Sequence, residues 1–122
     1  MARAASANAG TTAARPGLIE RGTGRMAFVQ IIEFRTSDID RARQIDDDWW
    51  RATEGKRTVR RELLGRDRSD PGRCFAIVFF DSYESAMENS NLAETQEFAD
   101  QYRKMCEGPP VFYDLDIVED RP

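Results

Sequence analysis

The chain has 122 residues, of which 40% are hydrophobic, and a formal net charge of −4 at pH 7, which suits a single domain with a modest core. It has no apolar run near the roughly 18 residues that a membrane span needs and no histidine, which argues against zinc sites, His-based triads and His-ligated haem. Cys74 and Cys106 match no metal motif and have no histidine to activate them, and two lone thiols suit a reducing cytoplasm, so we expect a cytoplasmic protein without metal or cofactor.

Residues 1–25 are rich in Ala, Gly, Thr and Arg and show no hydrophobic periodicity, so we expect a disordered N-terminal extension. The segment also has the Arg-rich, acid-poor composition of a transit peptide. A start codon placed too early is a third interpretation, because MAFVQIIEF at Met26 resembles the opening of a first strand. Disorder or a misplaced start is preferred to targeting. The domain itself is predicted over residues 26–122, and its acidic charge argues against binding nucleic acid through a broad basic face.

Periodicity, capping residues and turn residues predict the elements of this domain. The first strand is predicted over 27–36. A helix follows, beginning at Ser37-Asp38-Ile39-Asp40, which resembles a capping box, and ending at about Glu54 before Gly55. The remaining elements are a strand over 57–65, a turn over 67–72 centred on Pro71-Gly72, a strand over 73–80, a helical stretch over 82–106 interrupted at 89–91, and a strand over 111–118. Asn91 is predicted to cap the second helical segment.

The order β-α-β-β-α-β predicts an α+β fold of the ferredoxin-like type, with an antiparallel sheet and both helices on one face. In the first strand Phe28, Ile32 and Phe34 alternate with Val29 and Ile31, and the third strand is likewise apolar on both sides. A sheet of this kind needs cover on both faces, and two helices cover only one. We therefore predict that a second copy of the chain covers the other face, giving a homodimer that pairs through its sheets.

The element order, the interrupted helix ENSNLAETQEFADQYRKMC (88–106) and the closing GPPVFYDLDI (108–117) resemble the dimeric α/β-barrel superfamily, which includes antibiotic-biosynthesis-type monooxygenases. The resemblance implies a dimeric α/β barrel. The cofactor-free oxygenases of this group bind an aromatic substrate between helices and sheet, in a pocket lined by Trp, Tyr, Asn and Arg. The resemblance implies a pocket of the same kind in this chain. The haem-degrading members use a histidine ligand that this chain lacks, so that activity is not implied.

Two alternatives remain for the second face of the sheet. The RNA-recognition module has the same topology with an open sheet, and RCFAIVFF (73–80) matches part of its third-strand signature. It misses that signature at Cys74 and at Ile77, where a stacking ring is expected. Because of this miss and the acidic charge, RNA binding is the disfavoured alternative. A dimer that binds no ligand and serves as an interaction scaffold is the other.

The stretch DDDWWRATEG (46–55) places three aspartates beside both tryptophans of the chain. On a helical wheel Asp46 falls within the apolar arc that contains Trp49 and Trp50, whereas Asp47 and Asp48 fall outside it. Indoles that desolvate Asp46 would raise the pKa of its carboxyl group and suit it to general-base chemistry. The simpler and commoner interpretation is a carboxylate at the margin of the arc that reaches water, caps a backbone group or pairs with an arginine.

If the chain is an enzyme, we expect a cofactor-independent monooxygenase or isomerase that acts on a small hydrophobic or aromatic molecule. Asp46 is then the candidate base. The residues expected to bind the ligand are Trp49, Trp50 and Tyr83, which would shape the pocket, and Arg35 or Asn91, which would orient a polar group.

Other polar residues on the strands have simpler expected roles. Glu33 and Arg35 share one face of the first strand and are expected to form ion pairs, with each other or with a neighbouring strand. Tyr113 shares a face with Val111 and Leu115, so we expect it in the core with its hydroxyl group bonded to a partner.

Overall fold

The computed structural model describes residues 26–122, and the extension predicted as disordered over residues 1–25 lies outside the described residues. In chain order the elements are β1 (Phe28–Arg35), α1 (Ile39–Ala52), β2 (Val59–Arg66), β3 (Arg73–Phe80), α2 (Tyr83–Ser90), α3 (Ala93–Met105) and β4 (Val111–Asp116). The predicted order is confirmed, with the second helical stretch divided into α2 and α3. Within residues 26–122, no helix combines the length and the apolar character needed to cross a membrane.

The four strands form one sheet in the order β2-β3-β1-β4, and every neighbouring pair is antiparallel. Strands β1 and β2 are connected through α1, and strands β3 and β4 are connected through α2 and α3, so both connections cross the helical side. This is the ferredoxin-like α+β fold that the sequence predicts. The turn between β2 and β3 closes with a hydrogen bond of 2.8 Å from Arg73 N to Asp70 O, with Pro71 and Gly72 at its centre as predicted.

The first helix begins one residue later than its expected capping box. The N-cap of α1 is Asp38, whose carboxylate accepts a hydrogen bond of 3.0 Å from Arg41 N. The predicted cap at Ser37 is therefore wrong, because the carboxylate of Asp38 reaches the free amide of the first turn. The helix ends at Ala52 rather than near Glu54, and Gly55 follows with φ +83, a left-handed conformation that favours glycine.

The break between α2 and α3 also differs from the expected cap. Asn91 closes α2, with its amide bonded to Met87 O at 3.1 Å. The N-cap position of α3 is Leu92, which provides no side-chain cap. The prediction that Asn91 caps α3 is thus wrong. The Leu92 carbonyl begins the new helix by accepting hydrogen bonds from the amides of Thr95 and Gln96.

The hydrophobic core lies between the helices and one face of the sheet. Even-numbered residues of β1 and β3 point into it, which follows from the two-residue period of a strand. Its buried side chains include Phe28, Ile32 and Phe34 from β1, Cys74, Ala76, Val78 and Phe80 from β3, Ala42, Ile45 and Trp49 from α1, and Phe98 and Tyr102 from α3. The spacing of the α1 residues is that of an amphipathic helix.

The other side of the sheet, here called the open face, is apolar as predicted. It carries Val29 and Ile31 from β1, Leu63 from β2, Phe75, Ile77 and Phe79 from β3, and Val111, Tyr113 and Leu115 from β4. Several of these side chains are exposed, including Leu63 at 41% and Leu115 at 46%. The expectation that Tyr113 lies in the core is wrong, because its whole strand face turns away from the helices. Its hydroxyl group does find a partner, donating a hydrogen bond of 3.1 Å to Glu33.

Ion pairs border one end of the open face. Arg73 Nε donates to Glu33 Oε2 at 2.9 Å, and a second guanidinium nitrogen, Nη1, donates to Asp67 at 3.2 Å. Arg35 forms a two-pronged pair with Asp70 at 2.9 and 3.0 Å. The expected pairing with a neighbouring strand is confirmed for Glu33, which pairs with Arg73 of β3, whereas Arg35 pairs with Asp70 in the turn between β2 and β3.

An irregularity in β2 fixes which of its side chains meet the helices. Val59 pairs with Phe80 and Arg61 pairs with Phe79, so Arg60 is an extra residue, or β-bulge, between them. Each bulge shifts the alternation of side chains by one residue. As a result, Val59 and Glu62 both point towards the helices, although an unbroken strand would place them on opposite faces.

Candidate functional site

Two carboxyl groups from different elements meet between the helical layer and the sheet. Asp46 lies on the inner side of α1 and is half-buried, whereas Asp47 and Asp48 are exposed, as the helical phase predicts. Glu62 comes from β2, where the bulge at Arg60 directs it to the same side. The two carboxyl groups lie within hydrogen-bonding reach of each other. The neighbour of Asp46 is thus a second acid rather than an arginine.

The pair retains a proton at neutral pH. Burial raises the pKa of Asp46. Burial, followed by the negative charge of Asp46, raises the pKa of Glu62 to about 8. A hydrogen bond between the two carboxyl groups requires a proton on one of them. Two acids this close titrate as one unit, with one proton and one negative charge between them near pH 7.

The hydroxyl group of Tyr102 is a third buried polar group near the two acids. Asp46 Oδ1, Glu62 Oε2 and the hydroxyl oxygen of Tyr102 are all buried without a hydrogen-bond partner among the residues that the structure describes. A shared proton links the two carboxyl groups, but it provides nothing for Tyr102. Burial, and then the charges of Asp46 and Glu62, raise the pKa of Tyr102, so its hydroxyl group stays protonated. Buried polar atoms without partners are uncommon and call for an explanation, such as a bound water molecule or a ligand group.

Aromatic rings form the apolar wall beside this polar site. Tyr102 stacks on Phe98 with ring centres 4.6 Å apart and meets Phe34 edge-on at 5.2 Å. Phe98 in turn meets Trp49 edge-on at 5.9 Å. Trp49 is buried, and its indole nitrogen donates a hydrogen bond of 2.9 Å to Thr95 Oγ1. This row of rings holds the Tyr102 side chain in one orientation.

The second tryptophan lies at the surface. Trp50 is 37% exposed, and the guanidinium group of Arg57 covers its ring at 3.7 Å from the centroid. The same guanidinium donates a hydrogen bond of 2.7 Å to the carbonyl oxygen of Trp50. Arg57 is also close enough to Glu62 for its positive charge to oppose the rise in the pKa of that acid. Trp50 and Arg57 therefore form the outer border of the site.

The remaining predicted site residues lie in three different places. Tyr83, at the start of α2, is half-buried and meets Phe28 edge-on at 5.5 Å, so its ring contacts the core. Asn91 is exposed at the end of α2. Arg35 lies on the open-face side of β1 in its pair with Asp70, and the sheet separates it from Asp46. The structure thus brings Asp46 and Trp49 together with the core aromatics, and it places Arg35 on the opposite face.

Glu62 and Tyr102 were missed by the sequence interpretation. Glu62 could not be assigned to the helical side because regular alternation from Val59 points it the other way. Tyr102 carries a weak signal, since it follows Phe98 by four residues and so shares its helix face. Within residues 26–122, no group of three His, Cys, Asp or Glu side chains is placed to hold a metal ion, so the two acids are a pair rather than part of a ligand set.

No protein-family model and no curated protein sequence matches the chain. Solved structures do match. A protein of Deinococcus radiodurans, provisionally named an antibiotic biosynthesis monooxygenase, has a TM-score of 0.65 at 14% identity, over 78% of this chain and 96% of its own. A protein of Bordetella bronchiseptica with the same provisional name has a TM-score of 0.63 at 15% identity, over 78% of this chain and 100% of its own.

A conserved protein of Methanosarcina mazei is as similar in structure, with a TM-score of 0.65 over 75% of this chain and 94% of its own, although only 5% of its residues are identical. Such low identities carry the fold and not the chemistry. The predicted resemblance is confirmed at that level: the chain has the ferredoxin-like fold of the antibiotic biosynthesis monooxygenase structures.

Proposed function

We propose that the chain is a dimeric α/β-barrel protein that binds a small hydrophobic or aromatic molecule between its helices and its sheet and moves a proton on that molecule. The observation that carries this proposal is the buried carboxyl pair of Asp46 and Glu62 beside the unpartnered hydroxyl group of Tyr102. Asp46 and Trp49 keep the roles expected from the sequence, as base and as part of the apolar wall. Glu62 and Tyr102 are added to them.

The protonation of the pair suits acid–base chemistry. An ionised Asp46 in a poorly solvated site can remove a proton from an acidic C–H group or a phenol. A protonated Glu62 beside it can return a proton to another position of the same molecule, and the net result is an isomerisation. With dioxygen as co-reactant, the same carbanion could be oxidised, so that one methylene group and one dioxygen molecule give one carbonyl group and one water molecule. Neither route needs a cofactor, because the substrate itself supplies the electrons.

The open face supports the dimeric part of the proposal. It presents a continuous apolar surface, and ion pairs border one end of it. A second copy of the chain offers the same surface, and a twofold dimer joins identical patches. RNA recognition is not favoured, because Ile77 occupies the open-face position where a stacking ring is expected.

Hydrogen exchange into a simple probe tests the chemical part. 2-Tetralone is an aromatic ketone with acidic C–H groups, and NMR can follow the replacement of those protons in heavy water. The protein is expected to accelerate this exchange beyond the buffer rate, and Asp46→Asn should lower the acceleration by about 100-fold. Asp48→Asn is the matched control, because that aspartate lies two residues further along α1, exposed and paired with Arg51. Wild-type protein that exchanges the probe no faster than buffer would contradict the proposed chemistry.

A further inference from the structure

We infer that Asp46, Glu62 and Tyr102 together form a recognition site for the hydroxyl group of an uncharged ligand, a phenol or an enol, and that this site rejects carboxylates. The inference rests on the proposed function and names its ligand class. It is carried by the buried hydroxyl group of Tyr102 on α3, which has no hydrogen-bond partner within residues 26–122, and by the nearby acid pair from α1 and β2.

Tyr102 is the residue that indicates a ligand rather than a purely structural acid pair. Its side chain is 9% exposed, and its hydroxyl group has no partner within residues 26–122. The stacked ring of Phe98 and the edge-on ring of Phe34 prevent the side chain from turning towards water. In a core that needed only an aromatic ring, phenylalanine would avoid the cost of burying an unbonded hydroxyl group. The hydroxyl group therefore fits a partner that the described residues do not provide.

The charges around the site define which partner fits. One negative charge is shared by Asp46 and Glu62, and both acids are close enough to Tyr102 to act on its hydroxyl group. Among the residues that the structure describes, the other charged or titratable groups that act here are Asp47 on Asp46, Arg57 on Glu62, and Cys74 and Cys106 on Tyr102.

A ligand hydroxyl group can satisfy both sides of this site. It can donate a hydrogen bond to the carboxylate of Asp46 and accept one from the protonated hydroxyl group of Tyr102. A ligand carboxylate cannot donate, and it would bring a second negative charge into a poorly solvated region that already holds one. A ligand ether accepts but cannot donate. The site should therefore prefer a hydroxyl group to an ether and an ether to a carboxylate.

Calorimetric titration with three ligands of one ring system tests this order. The ligands are 2-naphthol, 2-methoxynaphthalene and 2-naphthoate, each titrated at pH 6.5 into the full chain. We expect 2-naphthol to bind most tightly, with 2-naphthoate weaker by at least about tenfold. Tyr102→Phe should weaken 2-naphthol binding by about tenfold, the value of one hydrogen bond, and leave 2-methoxynaphthalene almost unchanged, since an ether gains little from the site.

Tyr113→Phe is the matched control, because it removes the same atom from a tyrosine on the open face and should leave all three affinities unchanged. Thermal unfolding shows whether Tyr102→Phe is folded, and its melting temperature should equal or exceed that of the wild type. Equal binding of naphthol and its methyl ether, unaffected by Tyr102→Phe, would overturn the hydroxyl site while leaving ligand binding intact. So would tight binding of 2-naphthoate. If none of the three ligands binds, the proposed function fails together with the inference.

Discussion

The indole nitrogen of Trp49 donates a hydrogen bond of 2.9 Å to Thr95 Oγ1, and this bond joins α1 to α3 inside the core. Both residues are buried. Thr95→Val keeps the shape of the side chain but leaves the indole N–H without an acceptor. We expect the free energy of unfolding, measured in urea, to fall by about 1–3 kcal/mol. Thr95→Ser retains the hydroxyl group and should lose less. Equal stability of the valine variant and the wild type would show that the bond contributes nothing.

The carboxyl pair predicts a fall in stability as the pH rises. Glu62 keeps its proton in the folded protein up to a pKa of about 8, against an ordinary value of 4.5. Between these values the folded state holds a proton that the unfolded chain has lost, so the free energy of unfolding decreases with increasing pH. The raised pKa of Asp46 acts in the same direction.

Glu62→Gln removes this titration while keeping a hydrogen-bond donor beside Asp46. Urea unfolding across roughly pH 5 to 8 should therefore decline in the wild type and be much flatter in the variant. Acids whose pKa is lowered, such as Asp70 and Glu94, lose their contribution only at lower pH and do not disturb this range. Parallel curves for the two proteins would mean that Glu62 is ionised in the folded state.

Arg57 has a smaller influence on that pH dependence than burial or Asp46. Its positive charge opposes the rise in the pKa of Glu62, so Arg57→Ala should move the midpoint of the stability curve to higher pH. The substitution also uncovers the Trp50 ring, which should shift its fluorescence to longer wavelength. Arg57→Lys preserves the charge and should keep the midpoint close to that of the wild type. A midpoint that is the same in all three proteins would show that the charge of Arg57 does not reach the site.

The open face predicts a dimer that one lysine can weaken. Leu63 is 41% exposed and lies on the open face of the edge strand β2, where it pairs with Ile77 of β3. In a twofold dimer, Leu63→Lys buries two ammonium groups in an apolar contact, so the dimer should weaken by at least about tenfold. Val118→Lys is the control, since Val118 is 86% exposed and lies beyond β4. Light scattering over a dilution series gives the solution mass of the wild type and of each variant. A wild-type protein that is monomeric at every concentration would refute the dimer.

Element order and helix phase could be predicted from the sequence because both depend on local periodicity. The two-sided apolar pattern of β1 and β3 indicated a sheet with two apolar faces, and the 3.6-residue period directed Asp46 inward. The carboxylate partner could not be found in the same way. Regular alternation from Val59 places Glu62 on the open face, and only the pairing of β2 with β3 reveals the extra residue at Arg60. A bulge depends on contacts between strands, which local periodicity does not contain.

The prediction of the helix-capping residues was wrong for a related reason. Asn91 is a favourable capping residue and is predicted to begin α3, but it closes α2 instead. The backbone of Leu92 begins the helix there, without help from a side chain. Propensity identified the break between the helices, and tertiary packing decided which residue begins the second one.

The bulge at Arg60 has a consequence for the evolution of the fold. Deleting the codon for Arg60 would leave Val59 opposite Phe80 and Glu62 opposite Val78, so both side chains would still point towards the helices along a regular strand. A relative without the extra residue could therefore keep the acid pair. In its sequence, plain alternation would place Val59 and Glu62 on one face, so the inward acid would be visible there although the extra residue conceals it here.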